Sequence, residues 1–427
     1  MRIVYSMLLA LMLPLIVARL FWRSLKQRGY RENIAERFGR HHQPSLKDCI
    51  WIHAVSVGET RAAEPLIRRL KVLYPSRPVL LTAMTPTGRA TAQELFGSTL
   101  ISVYLPYDFV SLHQRLLAHF QPSILLIMET EIWPNLLYTC RQNAVPALII
   151  NARLSKKSLR GYTRFTAVRK LVQQSLQSVH VVAAQSSADA ERFRTLGVKK
   201  TLVTGNIKFD VLAETDLVER GEQWRAAQPT RRVLLCASSR EGEEALLLAA
   251  YVRIFDAEAR RDTLLVIVPR HPQRFNPVAG EIDAAGLSVA RRSQAVAGTP
   301  DQWTADVLLG DSMGEMTAYY AFCDVAIIGG SFLPLGGQNL IEACALGKPV
   351  IMGPSTFNFA EAARLALEAG AMQQVADVLE AMRAAQTILQ DSARRILMSN
   401  AGSRLVAANR GATEKTVALI ESALGAN

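Results

Sequence analysis

The stretch that most constrains the fold runs from Asp324 to Phe359, DVAIIGGSFLPLGGQNLIEACALGKPVIMGPSTFNF. A short apolar run, Val325 to Ile328, ends in two glycines. A polar Gly-rich loop, a helical segment over Asn339 to Leu346 and a Gly-Lys-Pro turn then lead to a second apolar run, Val350 to Met352. This is strand, loop, helix, strand, the unit from which parallel sheets are wound. In such a sheet the loop falls at the carboxyl edge. There glycine lets backbone N–H groups approach a ligand, and the helix N-terminus favours an anion. A nucleotide or another phosphate is the expected ligand. Glu342 lies one helical turn past Asn339, so both can point back at the loop, and an acidic residue there suits ribose hydroxyls better than phosphate. The plain alternative is a Gly-rich turn with a solvated glutamate.

The same pattern recurs along the chain. Cys49 to Val55 is a strand that turns through Ser56-Val57-Gly58 into a helix with Ala62, Ala63, Leu66, Ile67 and Leu70 on its apolar face. Glu59 thus stands where strand becomes helix. A carboxylate there either complements the helix dipole or accepts a proton from an alcohol bound beyond the sheet edge. Strand-like runs follow at Val79 to Ala83, Leu100 to Leu105, Ile124 to Met128, Pro146 to Asn151, Val179 to Ala184 and Thr201 to Thr204. They predict five or six strands in one doubly wound domain ending near residue 210. Glu129 and Glu131 directly follow a buried-type strand, where a carboxylate costs free energy unless it is paired or wet. Both are candidate site residues, with an acid pair at a helix N-terminus as the structural alternative. Lys208 sits at the expected domain junction, where a solvated lysine is the default.

A charged segment, residues 211 to 230, reads as linker and lead-in. The second set of strands is Val233 to Ala237, Leu264 to Val268, Asp306 to Leu309 and the two runs of the opening stretch. Pro269 and Arg270 end one of these strands, and an arginine there can make paired hydrogen bonds to phosphate or carboxylate. His271 reads as structural or as a hydrogen-bond donor, since no second His or Cys stands at ligand spacing. Gly310 to Glu315 is another strand-to-helix loop. The tail from Ala360 is mostly helical, and its last helix is free to pack back across the first domain.

With 427 residues the chain is long enough for two full cores. The expected division is an anchor over 1–25, an N-terminal Rossmann-like domain over 26–210 and a C-terminal nucleotide-binding domain over 211–427. Ile3 to Ala18 carries no charge, and Leu20 to Trp22 extends the run. The following VARLFWRSLK offers no good cleavage site and the run has no polar face, so an uncleaved membrane anchor fits best. Pro14 and the short length leave open whether it spans or inserts monotopically. Basic residues from Arg19 onward would keep the rest of the chain in the cytoplasm.

The net charge of +12 is concentrated in two patches, Arg19 to Arg40 and Arg153 to Lys170, with seven basic residues each. Such patches suit anionic lipid or phosphate. No regular aromatic stacking pattern or nucleic-acid motif accompanies them, so nucleic acid is not an expected partner. The five cysteines are scattered without metal-ligand spacing, which argues for a reducing compartment and no structural zinc. The opening loop of the first domain has no G-x-G-x-x-G, and neither G-x-x-x-x-G-K-[ST] nor G-x-S-x-G appears. Nicotinamide, ATP-hydrolysing and esterase chemistries are therefore poorly supported.

Ten motifs in order, WIHAVSVGET, MTPTGRA, YLPYD, LIMETEIWPN, NARLSKKS, GNIKFD, VPRHPQRF, GDSMGEM, GGSFLPLGGQN and MGPSTFNF, closely resemble the bacterial 3-deoxy-D-manno-octulosonic acid (Kdo) transferase family. The resemblance implies an α/β protein of the GT-B fold, two facing Rossmann-like doubly wound domains with an N-terminal membrane-anchor helix. It also implies an inverting glycosyltransferase of lipopolysaccharide biosynthesis on the cytoplasmic face of the bacterial inner membrane. Such an enzyme moves Kdo from CMP-Kdo to a lipid A precursor (lipid IVA), with no cofactor and no metal. By the same resemblance Glu59 is the general base, and Glu129 and Lys208 stabilise the transition state. CMP contacts map to Pro269, Arg270, Met313, Gly314, Glu315, Asn339, Leu340, Ile341 and Glu342. The chain departs from the family where Gln338 replaces a common His, where Glu342-Ala343-Cys344 stands for Glu-Pro-Ala or Glu-Ala-Ala, and where Ser239-Arg240 stands for Thr-His. A nucleotide-sugar epimerase on the same fold is the runner-up, and it needs neither acceptor nor anchor. A lipid-binding scaffold would not need these side chains at strand ends.

Overall fold

The computed structural model describes residues 1–211, 213–294 and 304–425. Leu212, within the expected linker, lies outside them. The chain forms two compact units, Met1–Asp210 with Asn409–Asn427, and Val211–Ala408.

The first unit is built on seven strands: β1 (Cys49–His53), β2 (Val79–Ala83), β3 (Ile101–Tyr104), β4 (Pro122–Met128), β5 (Ala147–Ala152), β6 (Val179–Ala184) and β7 (Thr201–Val203). They lie in the order β3-β2-β1-β4-β5-β6-β7, all parallel. The sequence reading counts five or six; the structure has seven, each on one of the runs named above, with the three-residue β7 at one edge. Alternate residues of each strand enter opposite cores. Ile50, Ile52, Leu126 and Ile150 meet Leu66, Ile67 and Leu70 on one face, while Trp51, Leu125 and Ile127 meet Phe120, Leu136 and Leu137 on the other.

The final helix, Ala412–Leu424, belongs to this unit and buries Val417 and Ile420 in the first of those faces. Each such side chain contributes about 1.5–3 kcal/mol. Asp210 holds the start of the helix by accepting from the N–H groups of Gly411 (2.6 Å) and Thr413 (2.5 Å).

Among the described residues the second unit also has seven strands: β8 (Arg232–Ser239), β9 (Thr263–Pro269), β10 (Val289–Arg291), β11 (Val307–Leu309), β12 (Val325–Ile328), β13 (Val350–Met352) and β14 (Met372–Gln374). Their order is β10-β11-β9-β8-β12-β13-β14, again parallel throughout. The strands absent from the sequence reading, β10 and β14, are three-residue edges whose letters, VAR and MQQ, carry little apolar signal. Helix Thr215–Ala226 crosses helix Met316–Phe322 at Gly221, where a Cβ would stand 2.2 Å from the Ala318 carbonyl oxygen. Only glycine permits that approach.

One further helix, Arg2–Lys26, precedes the first sheet. Its segment Arg2–Leu25 contains an 18-residue window of mean hydropathy 2.2, of which 6% is buried, and is long and apolar enough to cross a membrane. Its first turn is held by Asn135, whose Oδ1 accepts from Arg2 Nη1 (3.1 Å), and by Tyr138, whose ring lies 3.7 Å from the Arg2 guanidinium.

Candidate active site

In each sheet the direction of winding reverses once, between β1 and β4 in the first and between β8 and β12 in the second. The loops leaving such a pair diverge and open a crevice at the carboxyl edge, the usual ligand position in this architecture. The sequence candidates gather at these two places.

After β1, Ser56 caps the helix Val57–Leu73, with its hydroxyl accepting from the Glu59 N–H at 3.5 Å. The Glu59 carboxylate reaches back, and its Oε2 accepts from the Val55 N–H at 2.5 Å. This is close to a capping box, so Glu59 does serve the helix start. Among the described residues, Oε1 carries no hydrogen bond. Burial, with help from the charges of Glu129 and Glu131, outweighs the Val55 N–H bond and the weaker pull of the Ser56 N–H and raises the Glu59 carboxyl from 4.5 to about 8. Glu131 is likewise pushed up, mainly by burial.

Glu129 follows β4 with φ of 56°, in the left-handed region that a side chain disfavours. Its N–H still bonds the Ile150 carbonyl (3.0 Å), so the turn is anchored to β5 while the side chain is thrown out at the sheet edge. Glu129 Oε1 lies 3.5 Å from Lys208 Nζ, both side chains mostly buried. Lys208 rides on the short turn Ile207–Phe209, capped by Asn206 and tied to the sheet by Asn151, whose Oδ1 accepts from the Ile207 N–H at 3.1 Å. Asn151 is buried and also left-handed, with φ of 50°. Sequence reasoning did not single it out; an asparagine ending the apolar run Ala147 to Ile150 was the available signal. The first unit thus brings Glu59, Glu129, Glu131 and Lys208 into one electrostatic neighbourhood.

The second unit assembles differently. The predicted helix over Asn339 to Leu346 is only Ile341–Ala345. Asn339 delays its start, because its Oδ1 accepts the Ile341 N–H (3.0 Å) while its Nδ2 donates to Glu342 Oε1 (2.7 Å). Leu340 and Ile341 are buried, so only their backbone can meet a ligand. Arg270 leaves β9 with its N–H on the Ser239 carbonyl (2.9 Å). Met313 is exposed and Gly314 is left-handed. Glu315 binds both Arg220 (2.8 Å) and Arg292 (3.0 Å) and accepts from the Ser312 hydroxyl.

A residue missed from sequence organises this edge. Glu243 is fully buried and accepts from three backbone N–H groups, those of Arg240 (3.0 Å), Gly330 (2.6 Å) and Phe332 (3.0 Å). The signal was a glutamate three residues after Arg240, the first residue beyond β8, as in a capping motif. Among the described residues no three His, Cys, Asp or Glu side chains form a group able to hold a metal ion.

Residues 32–211 match the family model described as 3-deoxy-D-manno-octulosonic-acid transferase (kdotransferase). The chain is similar to the 3-deoxy-D-manno-octulosonic acid transferase of Bordetella pertussis, 43% identical across 99% of this chain and 100% of that protein. It is 35% identical to the enzyme of the same name from Haemophilus influenzae, across 100% and 99%. In fold it is similar to the UDP-GlcNAc 2-epimerase from Neisseria meningitidis, with a TM-score of 0.55 and 16% identity over 88% of this chain and 100% of that one.

Proposed function

This chain belongs to the 3-deoxy-D-manno-octulosonic acid transferase family and is a glycosyltransferase of the GT-B fold, and we propose that it moves Kdo from CMP-Kdo to a lipid A precursor with inversion at the anomeric carbon. The observation that carries the mechanism is the Glu59 carboxyl, raised to about 8, with one oxygen held by Val55 and the other open. A base with a pKa near the working pH is most effective at taking a proton in the transition state.

As the acceptor's sugar hydroxyl attacks the anomeric carbon, its proton passes to Glu59. The bond from that carbon to the phosphate oxygen breaks, and CMP departs with the electron pair. Lys208 offers positive charge to the departing phosphate or to the sugar's own carboxylate, and Glu129 offers negative charge to the oxocarbenium-like carbon. Pro269, Arg270, the loop Met313 to Glu315, and Asn339 through Glu342 bind CMP. The family's reaction places the enzyme in lipopolysaccharide assembly. The apolar helix Arg2–Leu25 and the basic residues after it support a site on the cytoplasmic face of the bacterial inner membrane. The exposed basic segment Lys156 to Lys170 would attract the acceptor's phosphates.

The test is CMP-Kdo generated in situ, a tetraacyl lipid A precursor and the full chain in a bilayer, with product mass read by spectrometry. A product heavier by one or more Kdo units supports the reading. Isomerisation of the donor's sugar without acceptor and without net release of CMP would instead favour an epimerase reaction, and no turnover by folded protein would remove the Kdo assignment.

A further inference from the structure

We infer that Arg240 binds an oxyanion of the donor substrate, either its phosphate or the carboxylate of the transferred sugar, and so helps to decide which nucleotide sugars the second unit accepts. The naming of the donor rests on the proposed function; the anion site does not.

Arg240 occupies the loop that leaves β8 at the switch point against β12, the position in the second sheet that Glu59's loop holds in the first. The backbone is shaped to present it. Ser238 is left-handed, with φ of 55°, and the pairing of β8 with β9 slips between Ala237 and Ser239. Strain of that kind persists where the surroundings impose it and commonly marks a working site. Those surroundings are the buried Glu243, whose Oε2 accepts both the Arg240 N–H and the Gly330 N–H. One carboxylate oxygen thereby joins the arginine's backbone to the glycine turn after β12.

The side chain then crosses that turn. A methyl group placed on Gly330 would stand 3.6 Å from Arg240 Cγ and 3.1 Å from Gln338 Nε2. The arginine stem and the neutral Gln338 amide therefore lie over the same glycine, whose missing side chain leaves the loop open.

Charge completes the case. Other arginines of this unit stand in ion pairs: Arg274 with Glu244 and Glu281, Arg291 with Asp311, and Arg220 and Arg292 sharing Glu315. Among the described residues, no carboxylate forms an ion pair with the half-buried Arg240. Burial and then the charges of Arg240 and Arg270 hold His271 below its ordinary value, which locates positive potential at the ends of β8 and β9. A partly desolvated cation without a counter-charge is costly, and an anionic ligand offsets that cost. Arginine's planar fork suits phosphate and carboxylate alike.

The experiment uses the full chain with Arg240→Met, Arg240→Gln and Arg240→Lys, each first matched to wild type in melting temperature. Calorimetry gives the Kd of CMP, cytidine and CMP-Kdo. If the anion is the phosphate, Arg240→Met weakens CMP about tenfold to a hundredfold and leaves cytidine unchanged, with partial recovery in Arg240→Lys. If it is the carboxylate, CMP and cytidine are unchanged and CMP-Kdo weakens by that factor. Changes below about twofold in all three ligands with a folded Arg240→Met or Arg240→Gln protein overturn the inference. Arg240-dependent CMP binding by a wild-type chain that transfers no Kdo would instead remove the reaction and keep the site.

Discussion

The two switch points share a backbone plan and treat charge in opposite ways. At the end of β1 and β4, three glutamates and one lysine share a partly buried space, and Glu59 is held by a single N–H bond to one of its oxygens. At the end of β8, Glu243 is saturated by three N–H groups, and in the loop after β11 of the same sheet Glu315 is held by two arginines and a hydroxyl. A carboxylate short of partners has its proton affinity raised and can do proton chemistry; one supplied with donors becomes a structural pin. The contrast teaches that one sheet edge can serve reaction or grip, according to how many N–H groups its loops aim at the acids.

The sharpest break of this contrast is Glu59→Gln. Transfer falls by about 10³-fold or more, while CMP binding survives, because the proposed nucleotide contacts belong to the other unit. Loss of CMP affinity in a folded mutant would contradict the base assignment. The pH dependence carries the same signature. With the folded carboxyl raised from 4.5 to about 8, the native state keeps a proton that the unfolded chain has lost. Its stabilising contribution is therefore full below about 4.5 and is lost as pH rises through about 8. Denaturant titrations across that window should show wild-type stability declining and the Glu59→Gln slope flattened, while wild-type kcat/KM climbs with pH through the same upper value.

Lys208→Met comes next, with kcat reduced by about 10²-fold. Removing the lysine beside Glu129 leaves the carboxylates facing one another, so the midpoint of the pH–rate profile should move to higher pH. An unmoved midpoint would show that Lys208 does not act on this cluster.

On the other edge, Glu243→Ala leaves three amide donors without their acceptor and should destabilise the protein by about 2–3 kcal/mol. CMP affinity should fall with it, as the Gly330 turn and the Arg240 loop lose their common pin. A mutant that keeps wild-type CMP affinity would sever grip from saturation. Asp210→Ala is the smallest effect, about 1 kcal/mol, from the lost N–H bonds at the start of the last helix. Hydrogen exchange should quicken over residues 412–424 with CMP affinity unchanged.

The parallel α/β pattern was legible because strands buried on both faces write themselves as short apolar runs. Val79–Ala83, Val179–Ala184, Val325–Ile328 and Val350–Met352 appear in the structure with the boundaries read from sequence. Edge strands such as Met372–Gln374 were not legible, since an edge carries polar letters. Asn339 shortened its helix by offering its own carbonyl to the Ile341 N–H, a local competition that apolar periodicity does not record. Glu59, Glu129 and Lys208 were each visible as an acid or a lysine in a motif. That Lys208 stands 3.5 Å from Glu129 was not, because 79 residues separate them. The long-range bonds of Asn151 and Glu243 were not legible for the same reason, the Ile207 and Gly330 amides lying 56 and 87 residues away.

The sequence by itself determined the alternation of strand and helix, hence two wound sheets with loops bearing chemistry at strand ends, because burial of apolar runs is a local demand written in neighbouring letters. Only the tertiary structure decided which acids are satisfied and which are left proton-hungry, and that the last helix completes the first unit. Those outcomes depend on N–H groups and apolar faces that meet through space, between residues remote in the chain.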